Sequence, residues 1–457
     1  MLSVQQLRQL EGILPRPWTS SEKEDLICYG FDATRIESIP DVLVRPTSAQ
    51  EISKILIFAN REKIPVVPRG MGSGFSGGTV PVKGGIVLSL ERMNRILTID
   101  EDNLMAVVEP GVITGELHRT VQAKGLYYPP DPTSSDFCTI GGNIAEAASG
   151  PHSVKYGGTR DYVLGLEIVL PTGEMVRTGG KTVKRAVAYD LTRLMVGSEG
   201  TLGVVTQANL KLLPFPEYRQ SLLAVFPSIQ AAARCISHII RSKFRPSVLE
   251  YMDEASLKIV EAHSRFGLPK EAKSILLIET DGSKRTAMDE AEQLTALCRE
   301  NHAIWVEVAE AEEDKKKIWK ARKALSQSLY QLKPAKINED IVVPRSKIAE
   351  MVCGLDGLSE KYRLIIVSFG HAGEGNLHVN IMADPKNRDE WEKAQQAVKE
   401  VFELTLKLGG ALSGEHGIGL TKRPYLFLEM GPAEIQLLRN IKKAFDPNGI
   451  LNPGKIF

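Results

Sequence analysis

Cysteine is scarce and scattered: Cys28, Cys138, Cys235, Cys298 and Cys353 are the five in 457 residues, and no two form a C-x-x-C pair. Iron–sulfur clusters and structural zinc need clustered thiolates, so neither is expected. A disulfide framework is equally unexpected, which favours a reducing, cytoplasmic setting. An excess of one charge is also missing, with 57 Lys and Arg against 56 Asp and Glu. No global field therefore points to nucleic acid. No run reaches the roughly 18 apolar residues of a transmembrane segment. The opening MLSVQQLRQLEGILPRPW lacks a signal peptide's apolar core. Peripheral docking at a membrane and oligomer formation stay open.

What is present is ordinary globular composition, 43% apolar and 25% charged, on a chain long enough for two or three domains. Residues 1–35 read as helical and polar. Residues 41–215 hold many glycines and short β-type runs: Pro65–Val67, Gly85–Leu90, Met105–Glu109 and Leu166–Leu170. A helix is expected over Ser48–Arg61, capped by Ser48 with Glu51 three places on. The texture changes at LPFPE, 213–217. Strands at 221–226, 247–252, 273–280 and 303–309 then alternate with helices at 228–243, 253–265 and 285–300. That order is a ferredoxin-like β-α-β-β-α-β layer with one extra helix. A charged helix near Glu312–Leu332 follows, then more strands and helices, a glycine-rich return at 409–419 and an ordered tail, FDPNGILNPGKIF. The expected domains are 1–215, 216–410 and a C-terminal segment 411–457 that packs back on the first.

GMGSGFSGG, 70–78, has the G-x-G-x-x-G spacing of a dinucleotide fingerprint. A Rossmann turn needs a helix next, whose N-terminus faces the pyrophosphate. Here Pro81 and the Gly84-Gly85 pair would break one at once. The Rossmann reading fails on context. Small residues can still cradle an anion with backbone N–H groups, and a bare β-loop is the bland alternative. Further small-residue stretches follow: TIGGNIAEAASG (139–150), YGGTRD (156–161) and GSEGTLGVVT (197–206). Several such loops in one β-rich domain point to a large ligand wrapped by backbone.

VPRGMGSGFSGG, PPDP, TIGGNIAEAASG, YGGTRD and GSEGTLGVVT together resemble the FAD-binding domain of the vanillyl-alcohol-oxidase, or PCMH-type, flavoproteins. Within that superfamily the chain is similar to the FAD-linked D-2-hydroxyacid dehydrogenases, from about residue 38 to Phe457. The resemblance implies an α+β fold: a two-subdomain PCMH-type FAD-binding domain, a ferredoxin-like substrate (cap) domain, and a C-terminal segment returning to the FAD domain. It assigns FAD contacts to Pro68, Arg69, Gly70, Gly72, Ser73, Gly74, Ser76 and Gly77. Pro130, Asp131, Thr133, Gly141, Gly142, Asn143, Ala145, Gly150 and Asp161 complete that site, with Glu199, Val204 and Val205 on the adenine side. Where relatives read AENAGG this chain has AEAASG, with Ala147 and Ser149 in place of Asn and Gly. Ser73 stands where flavin-tethering relatives carry His, so the FAD is expected to be non-covalent.

SFGHAGEGNLHVNI (368–381) and ALSGEHGIG (411–419) carry three of the eight histidines, His371, His378 and His416, beside Glu415. Two His and a carboxylate with open positions suit Zn²⁺, Mn²⁺ or Fe²⁺; a lone His is more often a hydrogen-bonded core residue. The resemblance makes His371, His378 and Glu415 ligands of a divalent metal, most readily Zn²⁺, and leaves His416 as general base. Asn380, two residues past His378, should share its strand face. The substrate carboxylate needs a cationic clamp. IWKARKALSQSLYQLKPAKINED (318–340) supplies Arg322, Ser326 and Lys336 at positions where relatives hold substrate, against the alternative of a solvated helix laced by i,i+4 charge pairs.

The expected reaction is oxidation of a small D-2-hydroxy acid to the 2-oxo acid, D-lactate or glycolate before D-2-hydroxyglutarate. The metal would assist loss of the hydroxyl proton and the hydride would pass to flavin N5. Electrons would leave to a quinone, an electron-transferring flavoprotein or an iron–sulfur subunit. A zinc hydrolase would leave the small-residue loops without purpose. A non-catalytic electron-transfer subunit would be expected to lack the His/His/Glu set, and HAGEGNLH argues against an ether-lipid synthase.

Overall fold

The computed structural model describes residues 2–264, 267–309 and 311–457. The chain divides into two compact units. One comprises Met1–Ser149, Gly157–Phe215 and Glu415–Phe457; the other comprises Gly150–Tyr156 and Pro216–Gly414.

In the first unit, β1 (Thr19–Ser20), β2 (Val42–Val44), β3 (Val66–Arg69) and β4 (Ile86–Ser89) form a sheet in the order β1-β2-β4-β3. β2 and β3 both run parallel to β4. Their apolar runs VLV, VVP and IVL are those of strands covered on both faces. The helix Ala49–Glu62 joins β2 to β3, and the Ser48 hydroxyl accepts the Glu51 N–H at 3.3 Å. Its Ile52, Ile55, Leu56 and Ala59 pack with Val42, Val66 and Ile86 in one core. Residues 70–85 contain no helix, so β3 leads through the glycine loop straight to its neighbour β4.

β5 (Ile96–Asp100), β6 (Met105–Val108), β7 (Leu126–Tyr127), β8 (Val163–Val169), β9 (Met175–Gly179), β10 (Val204–Lys211) and β11 (Leu213–Pro214) come next. β5-β6-β10-β8-β9 is an antiparallel sheet, and β7 with β11 is a short ribbon. The tail returns to the first sheet: Val66 N–H donates to the Ile450 carbonyl at 2.8 Å and Asn452 N–H to the Val66 carbonyl at 2.7 Å. Leu451 thereby adds a parallel bridge on the outer side of β3. At the other end, residues 1–35 are less helical than expected: helices Val4–Ile13 and Lys23–Cys28 flank β1. The cause is pairing of β1 with β2, which local polarity does not disclose.

The second unit is built on β12 (Tyr218–Phe226), β13 (Val248–Asp253), β14 (Ser274–Gly282), β15 (Trp305–Val308), β16 (Ala335–Val342), β17 (Ile365–Gly370) and β18 (Asn376–Ala383). The sheet is antiparallel throughout, in the order β15-β12-β14-β13-β17-β18-β16. Its first four strands have the ferredoxin-like order, and the helices Ile229–Arg241, Glu254–Ser264 and Lys284–Glu300 fall where expected. Residue 265, the last expected in the second helix, lies outside the described residues. The sheet continues beyond that layer by β17, β18 and β16.

Register fixes which side chains share a face. Glu250 pairs with Leu277, Met252 with Phe369, Phe369 with His378, and Val367 with Asn380. Asn380 also pairs with Asn338, and His378 with Asp340. All these residues lie on the sheet face whose core includes Leu257, Val260, Ile318, Ala321 and Leu325 of the helices Glu254–Ser264 and Glu312–Ser328.

Candidate functional site

In the first unit the small-residue stretches converge. A side chain at Gly70 would put its Cβ 2.4 Å from the Thr139 Oγ1, so the glycine loop and the 139–146 segment meet only because that residue is glycine. Thr139 caps a short helix, Ile140–Glu146, by accepting the Gly142 N–H at 3.2 Å. The carbonyls of Ile144 and Ala145 take the N–H groups of Gly197 and Glu199 at 2.9 and 2.8 Å. The Ala148 carbonyl takes the Thr159 N–H at 3.0 Å. GMGSGFSGG, TIGGNIAEAAS, GGTRD and GSEGTLG are thus one backbone-rich surface.

Within it the assigned FAD residues divide. Pro68 lies on β3, and Gly70, Gly72, Ser73 and Gly74 are half-buried while Ser76 and Gly77 are buried. Gly141, Gly142 and Ala145 are half-buried on the short helix. Asn143 faces inward, donating to Thr114 Oγ1 at 2.8 Å. Arg69 is turned to the N-terminal segment, with Nη1 on the Phe31 carbonyl at 2.7 Å and the guanidinium over Tyr29. The Pro130 carbonyl meets His118 Nε2 at 2.9 Å; Asp131 is half-buried and Thr133 exposed. Asp161 is exposed and accepts the Gly158 N–H. Val204 and Val205 pair with Val169 and Ile168 inside β10. Gly150 belongs to the other unit.

Glu199 has a specific engagement: its carboxylate accepts the N–H groups of Ile418 and Gly419, both at 2.7 Å. That fixes the loop bearing Glu415 and His416. The same loop is tied to the glycine loop by the Leu420 N–H on the Ser76 carbonyl at 2.7 Å. Glu415 accepts the Ser149 N–H at 3.1 Å, and the His416 ring stacks on Phe75.

The second unit holds the remaining candidates. His371 and His378 are buried, and their rings meet edge to face with centroids 5.2 Å apart. Glu250, fully buried on β13, bonds His371 Nδ1 through one oxygen; its other oxygen accepts the Arg322 Nε–H at 2.8 Å and forms an ion pair with the guanidinium, whose Nη2 lies 2.5 Å away. Burial alone would raise the Glu250 carboxyl, but His371 and Arg322 together hold it well below the usual range. The Arg322 guanidinium lies 4.9 Å from the Phe369 ring centroid, and Phe369 packs against His378. Arg322 is therefore not on a solvated helix face: its helix, Glu312–Ser328, buries Ile318, Ala321, Arg322 and Leu325 against the sheet.

Lys336 Nζ donates to the Ser326 hydroxyl at 2.6 Å, so the structure brings these two together. Asn380 shares the face of His378, is fully buried, and accepts the Asn338 amide at 2.8 Å. Asp340, opposite His378, accepts Asn376 Nδ2 at 2.6 Å and the Gly414 N–H at 2.9 Å. Sequence reasoning passed over Glu250 and Asp340. The signal for Glu250 was a lone carboxylate at an inward position of the apolar strand VLEYMD.

The chain's own features fit both groups. A Cβ at Gly74 would meet nothing within 4 Å, so the glycine loop opens onto space beside its backbone, as a cofactor cradle requires. Two buried imidazoles in contact, one bonded to a carboxylate through Nδ1, are a donor pair suited to a divalent ion.

The fold is that of the PCMH-type flavoproteins. It is similar to a p-cresol methylhydroxylase with substrate bound at TM-score 0.83 and 19% identity, over 99% of this chain and 96% of that one. It is also similar to alkyldihydroxyacetonephosphate synthase at TM-score 0.79 and 20% identity, over 99% and 85%. The chain belongs to the FAD-linked oxidases: residues 215–456 match the C-terminal domain of that family and residues 40–179 its FAD binding domain. It is 47% identical to the glycolate oxidase subunit GlcD of Bacillus subtilis, over 99% of this chain and 96% of that protein. It is 38% identical to a D-lactate dehydrogenase of Anaerostipes hadrus, over 91% and 89%. A D-lactate dehydrogenase of Archaeoglobus fulgidus is 39% identical, over 94% and 95%. The protein is thus an FAD-linked oxidoreductase, as its motifs led one to expect. Among the described residues no helix is long and apolar enough to cross a membrane.

Proposed function

We propose that the protein oxidises a small D-2-hydroxy acid, D-lactate or glycolate, to the 2-oxo acid. The observation that carries this is the Arg322–Glu250–His371 arrangement with His378 beside it. It sets a guanidinium and an imidazole pair on one sheet face, the chemistry that recognises a carboxylate next to a hydroxyl. The names borne by relatives at 47% and 38% identity, glycolate oxidase subunit and D-lactate dehydrogenase, support the same class.

FAD, bound non-covalently, supplies the two-electron acceptor, and a divalent ion such as Zn²⁺ supplies a Lewis acid that makes the hydroxyl more acidic. His371, His378 and Glu415 are the residues we assign to the ion, and the loop Pro68–Gly77 with Gly141, Gly142 and Ala145 to the cofactor. Arg322 orients the substrate carboxylate, Ser326 and Lys336 extend that polar contact, and Asn380 lines the same face. His416 takes the hydroxyl proton: a neutral imidazole is a competent base near pH 7, and stacking on Phe75 limits its rotation. The electrons leave to a quinone, an electron-transferring flavoprotein or an iron–sulfur partner.

The test is the visible spectrum of the purified protein under anaerobic conditions. A flavin spectrum bleached on adding D-lactate or glycolate supports the proposal. A flavin spectrum bleached by neither, and equally indifferent to D-2-hydroxyglutarate, removes the hydroxy-acid assignment.

A further inference from the structure

Glu250 sits in a closed ring of contacts. Its carboxylate holds His371 and Arg322; Arg322 covers Phe369; Phe369 packs on His378; His378 meets the edge or face of His371. Each member is 0–8% exposed, so water cannot substitute for a missing partner. An imidazole has two nitrogens, and the hydrogen bond made by one decides what the other can do. A carboxylate on Nδ1 accepts the Nδ1 proton and leaves the lone pair on Nε2.

We infer that Glu250 is a positioning residue serving two proposed functions at once. With one oxygen it holds His371 in the tautomer that ligates through Nε2, and with the other it holds the Arg322 fork in the direction needed for a substrate carboxylate. The inference rests on the functional reading above. A glutamate is required because both partners are donors. The amide of Gln can offer its carbonyl to only one of them and must turn its NH₂ toward the other. The shorter Asp cannot span both.

The variant to make is Glu250→Gln, in the full-length flavoprotein. Divalent-ion retention is measured after dialysis against chelator, KM for the hydroxy acid is measured in steady state, and the His371 Nδ1 proton is observed by NMR of ¹⁵N-histidine-labelled protein, assigned by its loss in His371→Asn. The expected result is ion retention weaker by about 10- to 100-fold, KM higher by about tenfold or more, and a shifted or lost Nδ1 resonance at unchanged FAD content. Retention, KM and resonance all as in the parent would overturn the inference. If the parent itself retains no Zn²⁺, Mn²⁺ or Fe²⁺, the ion assignment fails, and the resonance and KM alone decide for or against the positioning role. Should Glu250→Gln not fold because Arg322 is left buried without a counter-charge, the double variant with Arg322→Met removes that charge. An unaltered His371 resonance in the double variant overturns the inference, and an altered one supports it.

Discussion

The Phe75 ring lies stacked on the His416 imidazole, with centroids 5.6 Å apart and planes inclined by 26°. Both residues sit in glycine-rich loops, and the stacking sets an aromatic wall against the imidazole. If His416 is the base, His416→Ala should bind FAD normally and reduce it at least about 100-fold more slowly. Stopped-flow reduction with D-lactate or glycolate measures this. Reduction at the parental rate would remove His416 from the chemistry. Phe75→Leu should give a smaller loss in the same direction.

Chelation separates the two cofactors. FAD is assigned to a backbone surface and the ion to imidazoles and a carboxylate, so prolonged treatment with a chelator should slow flavin reduction by substrate while the flavin absorbance stays with the protein. Full activity in protein shown by elemental analysis to be free of metal would exclude the Lewis-acid role. Re-addition of Zn²⁺, Mn²⁺ and Fe²⁺ in turn would identify the ion that restores it.

Glu279 on β14 makes a pH-dependent contribution to the second unit. Its carboxylate accepts the Ser221 hydroxyl at 2.9 Å and Trp319 Nε1 at 3.1 Å, and lies 3.3 Å from His152 Nε2. Burial alone would raise it, but His152, Arg219 and Trp319 outweigh burial and hold it down at about 2, against an ordinary 4.5. A carboxyl more acidic folded than unfolded stabilises fully above its unfolded pKa, and that contribution, roughly 3 kcal/mol, is lost as the pH falls through the folded value. The thermal stability of the parent should therefore fall between pH 4.5 and about 2 more steeply than that of Glu279→Gln. Parallel curves for the two proteins would show that Glu279 is not the group responsible.

Ala147 ends the helix Ile140–Glu146 in the left-handed region, at φ 54°. A Cβ is disfavoured there, whereas Asn or Gly is well suited. Ala147→Gly should stabilise the protein by about 1 kcal/mol, read as a higher Tm with unchanged FAD content. A lower Tm would mean that the Ala147 methyl contributes packing that outweighs its backbone strain.

Much of the architecture could be read from the chain. The Ser48 cap, the missing helix after Gly78, and the ferredoxin-like strand order from Tyr218 are local signals, and the structure carries all three. The rest depends on partners distant in sequence. Nothing in the residues of β16, β17 or β18 says that they extend β13's sheet, and nothing in PHSVKY says that residues 150–156 pack with the second unit through Lys155 and Tyr156 on Asp281. The His371 and His378 motif was legible because its glycines bound it closely. Glu250, which orients His371 from 121 residues away, was not. A buried carboxylate in a strand is a weak signal until its donors are known.

The bridge between Val66 and Leu451 has a consequence for how the chain is made. The second unit is nearly contiguous, and apart from residues 150–156 its pieces emerge from the ribosome in one stretch. The first unit cannot close its parallel sheet until residues 450–452 have been synthesised, and until then β3 presents an unpaired edge. The outer edge of β3 therefore stays open while the intervening second unit is made, and the nascent protein depends on protection there.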